Sequence, residues 1–196
     1  QDMSMEDLIA PEDVVVTLSH GGYMKAQKLE EYRAQKRGGR GKQATATKED
    51  DFIDNLFIAN THNFILCFSN LGRVHWLKVY EVPQGSRISR GKPIVNLLQL
   101  ENGEKINAIL PVTEFVEDKF VFFATSNGTV KKTSLIDFSR PMKRGIIAIN
   151  LKKGDALNWV RLSSGRDQIF LATKGGQSIR FKEAQVRSMG RTAAGI

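Results

Sequence analysis

The chain has 196 residues, 41% of them apolar and 8% aromatic, which suffices for a folded core and excludes a disordered or fibrous protein. No run approaches the roughly 18 consecutive apolar residues of a membrane span, and the start, Gln1-Asp2-Met3-Ser4, lacks the basic and apolar regions of a secretion signal, so the cytoplasm is the expected location. A net charge of +8 with a pI near 9.7 points to a polyanionic partner, and a lone cysteine, Cys67, excludes an internal disulfide.

Residues 1–18 carry five acids (Asp2, Glu6, Asp7, Glu12, Asp13) and no Lys or Arg, which leaves a formal +13 on residues 19–196. Residues 1–12 are expected to be a linker, with one helical turn between Ser4 and Ala10 that ends before Pro11. Val14 to Leu18 then reads as a strand, Gly21-Gly22 as a turn and Tyr23-Met24-Lys25 as a second strand. Gln27 to Gln35 has helical composition. The heptapeptide Gln35-Lys36-Arg37-Gly38-Gly39-Arg40-Gly41 packs three cations and three glycines together without an acid. Glycine brings a backbone close to another chain, while Arg and Lys supply donors that phosphate oxygens accept. With Lys42 this segment is a candidate phosphate-binding element, and a solvated basic loop is the bland alternative.

The hairpin pattern recurs at intervals of about fifty residues. Phe64 to Asn70 leads through Gly72 to Arg73-Val74-His75-Trp76; Phe120 to Ser126 leads through Gly128 to Thr129-Val130-Lys131-Lys132; Ile169 to Thr173 leads through Gly175-Gly176 to Ser178-Ile179-Arg180. After each turn glycine (Gly22, Gly72, Gly128, Gly176) another glycine follows by 17 to 19 positions: Gly41, Gly91, Gly145 and Gly195. A third marker, an acid followed by apolar residues, precedes the next hairpin at Asp51, Glu104 and Asp155. A unit this small cannot bury its own apolar face, so several copies must share an interior, as propeller blades do. The fold class is therefore all-β, with helix confined to Gln27–Gln35 and a weaker candidate at Lys182–Arg187.

Acid-free cationic clusters recur with the repeat: Arg87, Arg90 and Lys92; Lys131 and Lys132; Arg140, Lys143 and Arg144; Arg187 and Arg191. Each alone reads as a solvated face, and together they mark a binding surface. No enzyme signature competes. His20, His62 and His75 have no metal-ligand spacing among themselves or with Cys67, which reads as a buried core residue. Gly41-Lys42 and Gly91-Lys92 do not complete a phosphate-binding loop, because Lys36 and Ser86 replace its first glycine and Gln43 and Pro93 its hydroxyl residue. Asn127-Gly128-Thr129 has the form of a glycosylation sequon and reads as a turn.

Over nearly its whole length the sequence resembles the C-terminal domains of bacterial gyrase A proteins. The stretches that carry the likeness include Glu12 to Ser19, Ile58 to His62, Lys92 to Leu98, Ile109 to Thr113 and Asn127 to Thr133. The most specific is Gln35 to Gly41, similar to the family's gyrase A box with Lys36 where Arg is common. The resemblance implies a β-pinwheel, a propeller-like disc of four-stranded blades joined by strand exchange, in residues 13–196. Four repeats of about six expected start near residues 13, 62, 118 and 167, the last one truncated. It further implies that the domain wraps duplex DNA around a basic rim with fixed handedness, so that the ATP-dependent type II topoisomerase can introduce negative supercoils. The implied partners are double-stranded DNA, the catalytic core of gyrase A in cis, and gyrase B in an A2B2 heterotetramer. No cofactor and no metal are expected in this domain, since ATP and Mg2+ serve other parts of the holoenzyme, and the isolated domain should catalyse nothing. The related domain of topoisomerase IV, which lacks an intact box, is the nearest alternative. A protein-interaction propeller is a more distant one, because neither Trp76 nor Trp159 is followed by Asp.

Overall fold

Apolar side chains at consecutive positions suit a strand covered on both faces, and the apolar runs of the first three repeats become such strands. The computed structural model describes residues 4–38, 51–172, 176 and 178–196. In chain order, β1 (Asp13–Ser19) and β2 (Tyr23–Lys28) form a hairpin that leads into helix α1 (Leu29–Gly38) and β3 (Ile53–Asn60). The second hairpin, β4 (Phe64–Ser69) and β5 (Arg73–Lys78), is followed by the short β6 (Lys92–Pro93) and by β7 (Ile106–Val112). The third, β8 (Phe120–Thr125) and β9 (Val130–Ser134), precedes β10 (Ile146–Ile147) and β11 (Leu157–Ser163). The fourth comprises β12 (Gln168–Ala172) and β13 (Ser178–Lys182).

Among the described residues four sheets result, with orders β3-β1-β2-β6, β10-β5-β4-β7, β11-β8-β9 and β12-β13. Strand exchange joins consecutive repeats. On one side a hairpin receives the strand that closes its own repeat, as β3 does on β1 with Val16 opposite Phe57. On the other side it receives a short segment from beyond the next hairpin. There β6 pairs with β2, placing Pro93 opposite Tyr23 and Lys92 opposite Met24, and β10 pairs with β5, placing Ile146 opposite Val74. At the third hairpin Val130 and Ile196 exchange both backbone hydrogen bonds at 2.9 Å.

The chain divides into two compact units, residues Gln1–Leu66, Trp76–Glu101 and Pro111–Thr113 in the first and Cys67–His75, Asn102–Leu110 and Glu114–Ile196 in the second. Val14, Val16, Leu18, Met24 and Ala26 are buried in the first. The core of the second centres on Phe68, whose ring meets Phe123 and Phe138 edge-on at centroid distances of 5.4 and 6.2 Å. Cys67 is fully buried and burial pushes its thiol pKa up, which leaves it a small core residue. The two-stranded β12-β13 sheet is the least covered, with Phe170 64% and Ile179 61% exposed.

The helix differs from its predicted span. Gln27 and Lys28 stay in β2, paired with Val15 and Val14, so α1 starts at Leu29. It then runs to Gly38 and takes Gln35 to Gly38 of the basic heptapeptide into its last turn. The two weaker helix candidates are short 3-10 turns, Met5–Leu8 and Glu183–Gln185. The segment expected to be a linker is bonded to the first unit. The Thr61 hydroxyl donates to the carbonyl of Ala10 and the Thr61 N–H to that of Glu12, while Glu6 accepts from Lys78 at 3.1 Å.

Candidate nucleic-acid interface

A phosphate-binding surface needs cations that point outward from a backbone that does not move. Three of the four cationic clusters lie on loops that return to the preceding hairpin, and each loop is held there by a buried or half-buried cation. In the first unit the Lys25 ammonium donates to the carbonyls of Ser86, Arg87 and Ser89 at 2.9, 3.1 and 2.8 Å, and burial lowers its pKa. Gly91 then lies against β2 with φ +87°, so close that a Cβ there would stand 2.3 Å from the Met24 carbonyl. The side chains of Arg87, Arg90 and Lys92 are left exposed, and the Arg90 guanidinium lies 3.8 Å from the centroid of the Tyr23 ring.

The second unit repeats the arrangement twice. The Arg73 guanidinium donates to the carbonyls of Arg144 and Gly145, and Gly145 lies over His75, which bonds the buried carboxylate of Glu104 at 2.9 Å. Arg140, Lys143 and Arg144 are exposed on that loop. The Lys131 ammonium donates to the carbonyls of Ala148 at 2.6 Å and Arg191 at 2.7 Å. On the loop that supplies the Arg191 carbonyl, Arg187 is exposed and Arg191 half-buried.

Lys131 and Lys132, expected on the binding surface, are turned inward. Lys131 is fully buried, and burial first, then repulsion from Arg191, lowers its pKa to about 8. Lys132 is 6% exposed, lies over the Phe120 ring and pairs at 3.7 Å with the fully buried Glu183. Neighbouring residues of a strand point to opposite faces, so both lysines being buried means that β9 is covered on both sides. Their charge serves the fold of the third hairpin.

Of the gyrase-box-like heptapeptide, Lys36 and Arg37 are exposed in the last turn of α1, where cations also suit the negative end of the helix dipole. Gln35 has a structural use, since its side-chain oxygen accepts a 2.7 Å bond from the buried Gln27 amide and ties the helix to β2. Gly39, Arg40, Gly41 and Lys42 lie outside the described residues.

Two of the acidic markers of the repeat, Asp51 and Asp155, close turns. Asp51 accepts from the Gly21 N–H at 2.8 Å, and hydrogen bonds from the Ser19 hydroxyl and from Gly21 hold its carboxyl below the usual range. Asp155 does the same for Asn127 at 3.0 Å. Each histidine meets a carboxylate, His20 with Asp54, His62 with Glu6 and His75 with Glu104. Among the described residues no three His, Cys, Asp or Glu side chains gather as a metal site, and no helix is long and apolar enough to cross a membrane.

Lys25, Arg73 and Tyr23 carry the loops and were not singled out from the sequence. Their signal was available: Tyr23, Arg73 and Thr129 each follow the turn glycine, and Lys25, His75 and Lys131 stand two places further on.

Comparison with known proteins agrees with the repeat. The model of the family described as "DNA gyrase C-terminal domain, beta-propeller" matches residues 13–60, 63–113, 119–164 and 167–196. The gyrase A protein of Salmonella typhimurium is 59% identical over the whole chain, and that of Escherichia coli 57%. The chain spans about a fifth of the length of these curated relatives, 22% in both cases. Among solved structures, a C-terminal domain of DNA topoisomerase IV has a TM-score of 0.79 at 32% identity, covering 96% of this chain and 57% of that one. A DNA gyrase A C-terminal domain has a TM-score of 0.70 at 22% identity, a likeness of fold, covering 94% and 59%.

Proposed function

We propose that this chain, which belongs to the DNA gyrase C-terminal domain family of beta-propeller fold, binds duplex DNA through its phosphates and wraps it with fixed handedness. In the complete protein that wrap lets a gyrase introduce negative supercoils. The observation that carries the reading is the repeated presentation of outward cations on pinned loops: Arg87, Arg90 and Lys92, then Lys143 and Arg144, then Arg187. Binding of this kind needs charge and close approach and no base-reading pairs. Bending a site of 20 to 30 base pairs by 40 to 90° costs on the order of 1 to 6 kcal/mol, more than one cluster is suited to offset, and a repeated unit supplies several.

Lys36 and Arg37, together with Arg40 and Lys42, set the entry point and the hand of the wrap in this reading. The chain's own residues bind, bend and release DNA, and strand breakage and ATP hydrolysis with Mg2+ belong to the catalytic core in cis and to gyrase B in an A2B2 assembly in the bacterial cytoplasm. A ligation assay tests the reading. The chain is titrated onto nicked circular DNA, the nick is sealed, the protein removed and the topoisomers resolved by handedness. A dose-dependent positive shift in linking number is expected. Binding without a shift contradicts the wrapping and favours a domain that only holds DNA. Alanine at Arg37 and Arg40 together should reduce the shift more than the affinity, and a proportional loss of both would remove the special role of that segment.

A further inference from the structure

The residue after the turn glycine serves the returning loop in three repeats. Arg73 donates to the carbonyls of Arg144 and Gly145, and the Thr129 methyl stands 3.0 Å from where a Cβ on Gly195 would lie. In those two repeats the contact is with backbone. In the first repeat Tyr23 acts on a side chain instead, with its ring under the Arg90 guanidinium at 3.8 Å. Lys25, two positions on, fixes the backbone of the same loop by three carbonyl bonds. Backbone and side chain of the basic loop are thus both held from β2. Stacking uses the flat face of a guanidinium and restricts its rotamers, while the N–H donors that grip a phosphate lie in the plane of the group.

We propose that Tyr23 is a positioning residue for DNA binding: it meets no phosphate itself and holds Arg90, on the loop tied down by Lys25, in the orientation that engages the DNA backbone. The inference rests on the DNA-binding reading above. The competing assignment is structural. Arg90 also lies near enough to Asp51 to help hold that carboxyl low, and in that role its stacking on Tyr23 serves the fold of the loop alone.

The two assignments separate in the salt dependence of duplex affinity, measured between about 50 and 200 mM salt. The proteins compared are the unmodified chain, Tyr23→Phe, Tyr23→Leu, Arg90→Ala and the Tyr23→Leu/Arg90→Ala pair. Arg90→Ala should flatten the slope of log affinity against log salt by about 0.9, one phosphate contact. Tyr23 is uncharged, so its replacement changes the slope only through a neighbouring cation. Tyr23→Leu keeps apolar bulk without a ring and should flatten the slope toward that of Arg90→Ala; Tyr23→Phe should keep the original slope, and the double variant should match Arg90→Ala. A wild-type slope in Tyr23→Leu, beside a flattened one in Arg90→Ala, overturns the positioning role. A wild-type slope in Arg90→Ala installs the structural assignment. Absence of salt-dependent binding by the unmodified chain brings down the DNA-binding reading and this inference with it.

Discussion

Lys131-Lys132 and the loop from Arg87 to Lys92 are both basic, acid-free segments, and the fold treats them in opposite ways. The first lies in β9, a strand covered on both faces, and its ammonium groups reach carbonyls on one side and Glu183 on the other. The second is a returning loop whose backbone carbonyls are taken by Lys25, so that its own cations face outward. A cation that holds a loop and a cation that the loop presents are different parts of one device, and local charge does not tell them apart. Position relative to the turn glycine does.

The largest effect that would sharpen this contrast is on stability. Glu183 is fully buried and accepts from the Ser163 hydroxyl and from the N–H groups of Gly165 and Asp167 besides pairing with Lys132. Glu183→Ala leaves a buried ammonium and three donors without their partner and should cost about 3 to 5 kcal/mol. Arg187→Ala, on the exposed loop close by in sequence, should stay within about 0.5 kcal/mol. Urea unfolding of the two variants gives both numbers, and similar losses would break the distinction between inward and outward charge.

A smaller effect is expected at the loop glycines. Gly91→Ala meets both a left-handed backbone and the Met24 carbonyl, and should cost about 3 kcal/mol. Gly22→Ala meets a left-handed backbone with open space around it and should cost about 1 kcal/mol. Thermal unfolding in which the two cost the same would mean that the returning loop yields easily and is not held as described.

A further effect is one of pH. The folded-state pKa of Lys131, lowered by burial to about 8, lies below its unfolded value of about 10.4. Between these values the unfolded chain binds one proton more than the folded chain, so stability rises with pH across that window, by at most about 1.4 kcal/mol per unit from this group. Below pH 8 both states hold the proton and the contribution is flat. Denaturant unfolding at pH 8 and pH 10 should show a gain that Lys131→Met lacks, and an equal gain in the variant would mean that Lys131 is not desolvated.

The hairpins were legible because runs such as Val14 to Leu18 and Phe120 to Ala124, each ending at a glycine turn, have one physical solution as central strands. The start of α1 falls two residues later than its composition predicts, since the pairing of Gln27 and Lys28 with Val15 and Val14 outweighs their helical character. Burial of Lys132 was not legible because Glu183, its partner, belongs to another repeat and only the fold brings the two together. Gln35 reads in the sequence as part of a phosphate-binding segment, yet its bond to Gln27 depends on where the helix docks. What carries the site is an alignment of residues on the turn glycines, which places Tyr23, Lys25, Arg73 and Lys131 beneath the returning loops.

The salt dependence of duplex binding tests the division of labour between the two kinds of cation most directly. Arg87→Ala/Arg90→Ala/Lys92→Ala removes three presented cations and should flatten the slope of log affinity against log salt by about 2.7, while Lys132→Met, which removes one inward charge, should leave the slope unchanged. A flattened slope in Lys132→Met together with an unchanged slope in the triple variant would contradict the account.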